Sequence, residues 1–449
     1  MSGALPRPGV APGRPWSFPV PRQSVLDNGV RVWLYDLPSQ HVLSAQVVMD
    51  APVGCEPESL EGLATMTVRT SDEGSVQHPG AQLAELVEDL GAVSSGTADQ
   101  GATVCRLEVP SLRLAPALTL LAEIIRHPAH ADEDVARHVS LRLAEIEQSM
   151  ARSSFLAQLA FQKAVFDPAG RMSRPTGGSH QQVAAITRDD VSAFHGRWWR
   201  PDGATVIVAG ALPGDIDQLV AQAFDQWQPT GELAPHRKNL PNPAGPVVWV
   251  VDRPGSVQAD IQIGTFGPDR GDARWPALEV AACAVGGSFS SRLNTVLREE
   301  LGYTYGAQAS FRPLRDAGTF AVRTSCRTDV AAAATAQGME LLGLADRPLT
   351  DVEVSDARTY LLGVAPLHYQ TAETIADQAA TLAGAALPPS WINEHQTRVA
   401  SITADQASEA FVEVVRPEDL TVVLCGDAAQ LVPDLARHGL MAQVVNLQG

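Results

Sequence analysis

The sequence predicts an α+β protein made of two homologous α/β halves, each a mostly antiparallel sheet with helices packed on it. Three observations favour this fold class. The chain has 449 residues, which is too long for one ordinary hydrophobic core. Landmarks of the first half recur in the second at a fixed distance along the chain. Strand and helix patterns are also mixed without the regular alternation of parallel βαβ units.

The internal repeat joins a capped helix, an Arg-Pro corner and a strand. In each copy a Thr can cap the helix, the Pro ends it, and a β-rich run follows. The three landmarks lie at residues 186–189, 200–202 and 204–210, and again at residues 402–405, 416–418 and 420–426. Every landmark is displaced by 216 positions. A generic helix–turn–strand unit would not keep this distance constant.

The repeat divides the chain into four parts. Residues 1–20 are rich in Pro and Gly and lack the apolar core of a secretory signal, so they are interpreted as a flexible tail or a strap across the surface. Residues 21–230 form the first half. Residues 231–246 contain Pro235, Pro241, Pro243 and Pro246 and are interpreted as a linker. Residues 247–449 form the second half.

Periodicity supplies the elements of both halves. Alternating and apolar runs predict strands at residues 31–35, 45–49, 247–251 and 259–263. Longer periodic runs predict helices at residues 81–90, 114–126 and 132–165.

Composition limits the function classes. The formal charge of −18 argues against nucleic acid as a partner, because phosphate binding needs a basic surface. No apolar run reaches the roughly 20 residues that span a bilayer, so no membrane partner is expected. The five cysteines are scattered and form no Cys-x-x-Cys pair, which favours free thiols in a reducing cytoplasm.

The most informative stretch runs from Gly286-Gly287 to Gly306. A helix is expected to begin near Pro276, to be interrupted at the two glycines and to end at Gly302. A strand then follows at 303–311 and pairs with residues 319–325. This geometry puts Arg298 on the last helical turn and Tyr305 just across the bend. On chemistry alone Arg298 is a surface cation and Tyr305 a half-buried strand residue.

This stretch resembles the second half of the pitrilysin/insulinase metallopeptidase family. Members that are similar to the mitochondrial processing peptidase carry a Ser-Arg-Leu … Leu-Arg-Glu … Gly-x-x-Tyr run, which residues 291–305 match. The resemblance implies two α/β halves that face each other like a clamshell across a peptide-binding chamber. It also implies that Arg298 and Tyr305 donate hydrogen bonds to a substrate carbonyl and its oxyanion. Gly286 and Gly287 would let the substrate backbone pass, although helix packing is an equal alternative.

The other half of that family's active site is missing. Active members have a Gly-Leu-Ala-His-x-x-Glu-His run, with two zinc ligands and a general base on one helix. Aligned on Gly62-Leu63-Ala64, these functional positions hold Thr65, Val68 and Arg69. A neutral hydroxyl, an alkyl group and a fixed positive charge cannot replace them. The third ligand has candidates in Glu145 and Glu147, and one carboxylate does not hold zinc. No metal is therefore expected in this chain.

No other catalytic motif is present. The cluster His127, His130 and His138 is interpreted as exposed loop histidines, because no carboxylate or thiol lies at a recognised ligand spacing. The run Gly177-Gly178-Ser179 is interpreted as a turn.

Two functions remain open. The leading hypothesis is the non-zinc subunit of a heteromeric zinc metallopeptidase that cleaves peptides or unfolded segments. A homologous partner would then supply the His-x-x-Glu-His helix and the zinc, most simply as a heterodimer. The alternative is a catalytically inert structural or peptide-binding subunit, similar to the family's core subunits in respiratory complexes. A third possibility, the maturation of ribosomally made peptides, is singled out by nothing in the sequence.

Overall fold

The computed structural model describes residues 16–236 and 238–447. Its strands are β1 Arg22–Val25, β2 Arg31–Asp36, β3 Val42–Met49, β4 Val93–Ala98, β5 Thr103–Pro110, β6 Thr205–Gly210, β7 Val248–Asp252, β8 Gln258–Gly267, β9 Thr304–Pro313, β10 Gly318–Arg327, β11 Thr421–Gly426 and β12 Gln443–Val445. Its α-helices are α1 Leu63–Arg69, α2 Ala81–Asp89, α3 Leu114–Arg126, α4 Asp132–Met150, α5 Ser153–Val165, α6 His180–Ala184, α7 Arg188–Trp198, α8 Ile216–Phe224, α9 Trp275–Ala282, α10 Thr328–Leu341, α11 Asp351–His368, α12 Ala372–Gly384, α13 Trp391–Ser401, α14 Ala404–Val414 and α15 Ala428–Arg437. Among the described residues no helix is both long and apolar enough to cross a membrane.

The strands form two six-stranded sheets that share the order of five strands and differ at one edge, where β1 precedes β2 along the chain but β12 follows β11. Their orders are β1-β2-β6-β3-β5-β4 and β12-β7-β11-β8-β10-β9. The pairing is antiparallel except at β2–β6, β7–β11 and β7–β12. The repeated apolar strands β6 and β11 lie inside their sheets and are buried along their whole length. The α+β class with two homologous halves is therefore confirmed.

Each sheet is covered on one face by helices of its own half and on the other by a helix of the opposite half. Helix α12 of the second half packs on β3 and β6 of the first sheet. Helix α5 of the first half packs on β8 and β11 of the second sheet. Both sheets are thus buried on two faces, and the halves are joined through these two crossing helices.

The crossing depends on a break that the periodicity did not predict. Residues 132–165 were expected to form one helical run, but α4 ends at Met150 and α5 begins at Ser153. Between them Arg152 is extended, with φ −95° and ψ 123°. The Ser153 hydroxyl donates to Asp260 on β8 instead of supporting a helical turn. The break turns α5 away from α4 and onto the second sheet.

The N-terminal segment is not a free tail where it is described. Residues 1–15 lie outside the described residues, but Phe18 is 1% exposed. The backbone of Phe18 exchanges two hydrogen bonds with the Asn393 amide on α13, at 2.8 and 3.0 Å. Its ring meets Tyr35 of the first half and Tyr369 of the second edge-on. This apolar side chain therefore anchors the segment across both halves.

The proline-rich segment between α8 and β7 contains no helix and no named strand within its described residues. It runs beside the C-terminal end of α5. Asn242 donates its backbone N–H to Val165 O at 2.8 Å, and its side chain donates to Ala164 O at 3.0 Å. These bonds tie the connection between the halves to the crossing helix.

Candidate functional site

The helix that aligns with the zinc motif, α1, is held by buried carboxylates. It begins after Gly62, whose φ of +102° is the left-handed conformation that glycine tolerates. The Glu56 carboxylate accepts the N–H groups of Gly62 and Ala64 at 3.0 and 2.9 Å, and it pairs with Arg171 at 2.9 Å. This N-terminal anchoring keeps α1 in place without a metal.

An ion pair occupies the ligand positions of α1. Arg69 donates to Glu145 on α4 at 2.9 Å, and Arg142 donates to the other carboxylate oxygen at 3.1 Å. The hydrogen bond from Arg69 lowers the pKa of the Glu145 carboxyl. The second candidate, Glu147, lies 3.7 Å from His180 instead. The structure therefore brings the second ligand position and Glu145 together, and the side chain at that position is the guanidinium of Arg69.

The remaining two positions of the motif carry no metal chemistry. Val68 is buried in the first core and packs tightly against β4, since a Cβ at Gly96 would lie 2.6 Å from a Val68 methyl group. Thr65 is half-buried. Among the described residues no group of three His, Cys, Asp or Glu side chains could hold a metal ion. The donor set does not fit zinc.

Arg298 lies on an irregular helix beside the second sheet. Helix α9 passes into a π-helical turn at Cys283–Gly287, and a second π-helical segment runs from Asn294 to Glu300. The Arg298 guanidinium lies over the Phe289 ring, 4.1 Å from its centroid, and 3.4 Å from Glu299. Its side chain is one-third exposed, so it stays available to a ligand. π-Helical turns of this kind are frequent at functional sites.

Tyr305 lies in a β-bulge at the free edge of the second sheet. Thr324 of β10 pairs with Ala307 and Cys326 pairs with Thr304, so Tyr305 and Gly306 share one partner position. A bulge of this kind re-aims a side chain. Tyr305 is 97% exposed as a result, whereas a half-buried strand residue was expected. Its hydroxyl makes no hydrogen bond within the described residues.

Asn294 connects the helix of Arg298 to the strand of Tyr305. Its side-chain oxygen accepts the Ala307 N–H at 2.8 Å, and its amide donates to Ser288 O at 3.0 Å. At the turn between them Gly302 is left-handed, with φ +63°, as a helix C′ residue requires. The backbone on both sides of the Arg298–Tyr305 pair is therefore fixed, while the two side chains do not hydrogen-bond to each other.

The two glycines of the opening stretch differ. Gly286 is buried, and a Cβ there would lie 2.6 Å from the Ala309 Cβ and 2.8 Å from its backbone nitrogen. Gly287 is exposed, and a Cβ there would lie at an ordinary 3.4 Å from the Cys283 Cβ. Close packing on β9 therefore accounts for Gly286, while Gly287 faces solvent.

The histidine cluster was partly misinterpreted. His130 was expected to be an exposed loop residue, but it is 3% exposed and lies in the left-handed region at φ 43°. Its Nδ1 bonds to the Thr70 hydroxyl at 2.8 Å, and its ring meets His195 edge-on. The loop folds back under α1 and α7, which the local sequence does not reveal. His138 instead contacts Glu73 at 2.6 Å.

Family models match both halves of the chain. A model of the insulinase (M16) peptidase family matches residues 31–171, and one of the M16 peptidase inactive domain matches residues 185–361. Together these matches span more than half of the chain and include both α1 and the Arg298–Tyr305 stretch. The chain belongs to the M16 peptidase family.

Curated M16 relatives extend along most of the chain. It is 26% identical over 322 residues to an uncharacterized zinc protease of Mycobacterium bovis, which covers 70% of this chain and 72% of that protein. It is 24% identical over 414 residues to an uncharacterized zinc protease of Streptomyces coelicolor, which covers 90% and 89% of the two chains.

Solved structures share the M16 fold. A peptidase M16 inactive domain from Pseudomonas fluorescens superposes with a TM-score of 0.84 at 21% identity and covers 91% of this chain and 98% of its own. A protease from Helicobacter pylori has a TM-score of 0.82 at 17% identity, covering 91% and 99%. A chain of complex III2 from Candida albicans has a TM-score of 0.76 at 14% identity, covering 94% and 100%.

One residue of the M16 signature has a role that sequence reasoning missed. Arg292, of the Ser-Arg-Leu run, is buried and binds both oxygens of Glu353 at 2.9 Å. It also donates to the carbonyls of Arg347 and Pro348. Glu353 closes the capping box of α11. No local pattern reveals this structural pair, because Glu353 lies 61 residues beyond Arg292 in the chain.

Proposed function

We propose that this chain is the non-zinc subunit of a heteromeric zinc metallopeptidase that cleaves peptides or unfolded segments. One observation carries the proposal: the two half-sites have opposite fates. The Arg69–Glu145 ion pair fills the ligand positions of α1. Tyr305, in contrast, is fully presented to solvent, and Arg298 keeps a third of its side chain exposed. The proposal interprets this difference as the loss of one half-site and the retention of the other.

In this proposal Arg298 and Tyr305 act on the substrate carbonyl. The guanidinium and the phenolic hydroxyl are both donors, and both can hydrogen-bond to an oxygen that gains negative charge in the transition state. Asn294 and Gly302 fix the backbone on which the two donors are mounted. The zinc of the homologous partner would supply the activated water.

The partner would be a homologous chain with an intact His-x-x-Glu-His helix, and the two would form a heterodimer around a peptide substrate. The five cysteines are free thiols, which supports a location in the cytoplasm.

The test uses the full chain mixed with such a partner. We expect Arg298→Ala and Tyr305→Phe each to lower kcat by about 10²–10³-fold, the usual cost of losing one oxyanion donor. Matched controls are Arg437→Ala and Tyr360→Phe, since both residues lie on helices elsewhere in the second half. Chelator-sensitive cleavage by the isolated chain would contradict the proposal.

A second candidate function is an inert structural subunit, which the fold shared with a chain of complex III2 favours. It predicts that the same two substitutions leave the turnover of the reconstituted pair unchanged.

A further inference from the structure

A cavity of about 620 Å³ lies between the two halves. Its walls come from the crossing helices α5 and α12, from β4 and β5 of the first sheet, and from β9 and β10 of the second. Its volume falls in the range of ordinary ligand sites. It is distinct from the ion-paired positions of α1, none of which lines it.

Three arginines of the cavity wall have no carboxylate within ion-pair distance among the described residues, although Glu279 is near enough to act on the charge of Arg270. Arg270, Arg312 and Arg323 form no ion pair and no side-chain hydrogen bond with any described residue. By contrast, Arg106 and Arg315 in the same wall are each 3.0 Å from an aspartate. Arg270 and Arg323 are partly buried, where an unpaired cation is costly unless it binds an anion, whereas Arg312 is exposed. Their concentration is notable in a chain with a formal charge of −18.

The internal repeat shows that a carboxylate is missing at Arg323. In the first half Gln46 pairs across the sheet with Arg106, and both donate to Asp377, the sixth residue of α12. In the second half Gln262 pairs with Arg323 in the same way. The sixth residue of α5 is Gln158, a neutral amide that also lines the cavity.

Polar atoms without hydrogen-bond partners in the described part of the chain, donors and acceptors alike, occur in residues of the same wall, including Gln46 Oε1 and Gln262 Oε1. Arg270 Nη1 and Gln100 Nε2 are buried and lack a hydrogen-bond partner among the described residues, and both residues line the cavity. Burial lowers the pKa of Arg270, and burial together with Arg312 lowers that of Arg323. A bound anion would offset the repulsion between the Arg312 and Arg323 guanidinium groups.

We propose that this cavity binds the carboxylate side chains of an acidic peptide segment. The wall also contains apolar side chains, such as Phe161 and Leu314, which suit a peptide better than a bare inorganic anion. Arg312 lies on β9 seven residues beyond Tyr305, which is roughly 23 Å along a strand. This step rests on the proposed function: the substrates that the complex selects carry an acidic residue about seven positions from the bond that is cut.

Binding is measured on the full chain without any partner, by fluorescence anisotropy of two labelled peptides. One carries a block of Asp and Glu, and its match carries Asn and Gln at the same positions. We expect the acidic peptide to bind at least about tenfold more tightly, with an affinity that falls as salt rises. Arg323→Gln and the exposed Arg312→Gln should each remove most of this difference, whereas Arg437→Gln should not.

Equal affinity for the two peptides would overturn the proposal. So would inorganic phosphate at equal concentration displacing the acidic peptide, because the site would then select small anions. Circular dichroism of each variant shows that it is folded, and Arg323→Lys should keep part of the preference. Because no turnover is involved, acidic-peptide binding can hold while reconstituted cleavage fails, which separates this proposal from the proposed function.

Discussion

Arg69, which aligns with the second histidine of the zinc motif, donates a hydrogen bond to Glu145, one of the two candidates for the third ligand. The Arg69 guanidinium compensates the negative charge of the Glu145 carboxylate, and Arg142 adds a second donor. The pair is partly exposed, so it contributes at most about 1 kcal/mol to stability. Its main effect is chemical, because it keeps a fixed cation where a metal would bind.

Restoring the histidines at these positions tests this geometry. We expect the double variant Thr65→His and Arg69→His to bind one zinc ion per chain, with Glu145 as third ligand, because residues four apart lie on one face of α1. Isothermal titration calorimetry measures the stoichiometry. Adding Glu145→Gln should weaken binding by at least about tenfold. Binding that Glu145→Gln leaves unchanged would show that this carboxylate is not a ligand.

Two buried histidines make the first half sensitive to acid. The Thr70 hydroxyl donates to Met66 O, so His130 Nδ1 is the donor to Thr70 and its buried Nε2 has no partner. Burial lowers the pKa of His130 from 6.5 to about 3 and that of His195 to about 4. Both rings are therefore neutral in the fold above pH 5.

Because the unfolded chain binds these protons first, stability is full above pH 6.5 and is lost as the pH falls toward 4. Each histidine should remove about 2 kcal/mol from the free energy of unfolding between pH 6.5 and 5. Urea unfolding measures this slope. His130→Asn, which tolerates the left-handed backbone, should reduce it, and the exposed His41→Gln should not. An unchanged slope in His130→Asn would refute the assignment.

At the residue scale, sequence reasoning identified chemistry better than environment. Thr65, Val68 and Arg69 could be recognised as unfit for zinc from their side chains alone. The exposure of Tyr305 could not, because the bulge depends on the register between β9 and β10. The burial of His130 depends likewise on α7, which is distant in sequence.

At the scale of single elements, Gly286 lets the π-helical turn approach β9. We expect Gly286→Ala to lower the free energy of unfolding by about 1–3 kcal/mol, since the added methyl group would overlap Ala309. Gly287→Ala would place its Cβ at ordinary van der Waals distances and should change the free energy of unfolding by about 0.5 kcal/mol or less. Thermal and urea unfolding of this matched pair measure both values. Equal costs would mean that close packing is not what requires glycine at Gly286.

Local patterns located most elements and missed how they are connected. The strands predicted at 31–35 and 259–263 lie within β2 and β8, because apolar alternation is a local property. Helix α3 has the predicted ends at Leu114 and Arg126. The break at Arg152 was not predicted, because both α4 and α5 satisfy a helical pattern and only the second sheet selects the turn between them.

At the scale of the whole molecule, the crossing helices make each half incomplete without the other. Helix α12 buries Ile375, Ala376 and Ala379 against Trp33 and Ile207 of the first sheet. Helix α5 buries its apolar side chains against the second sheet in the same way. The cavity between the halves exists only because both helices cross, so any ligand in it contacts both halves at once.

The halves should therefore not fold separately. We expect residues 1–236 alone to expose both the α5 face and the face of the first sheet that α12 covers, and to lack a cooperative unfolding transition. Residues 237–449 should behave alike, and mixing the two fragments should restore one transition and one species by gel filtration. Dye binding to exposed apolar surface and urea unfolding measure the fragments, and the intact chain is the control. An isolated half that unfolds cooperatively would contradict this prediction. Its own core would then contribute more to the free energy of unfolding than is lost by exposing the apolar face that the missing crossing helix covers.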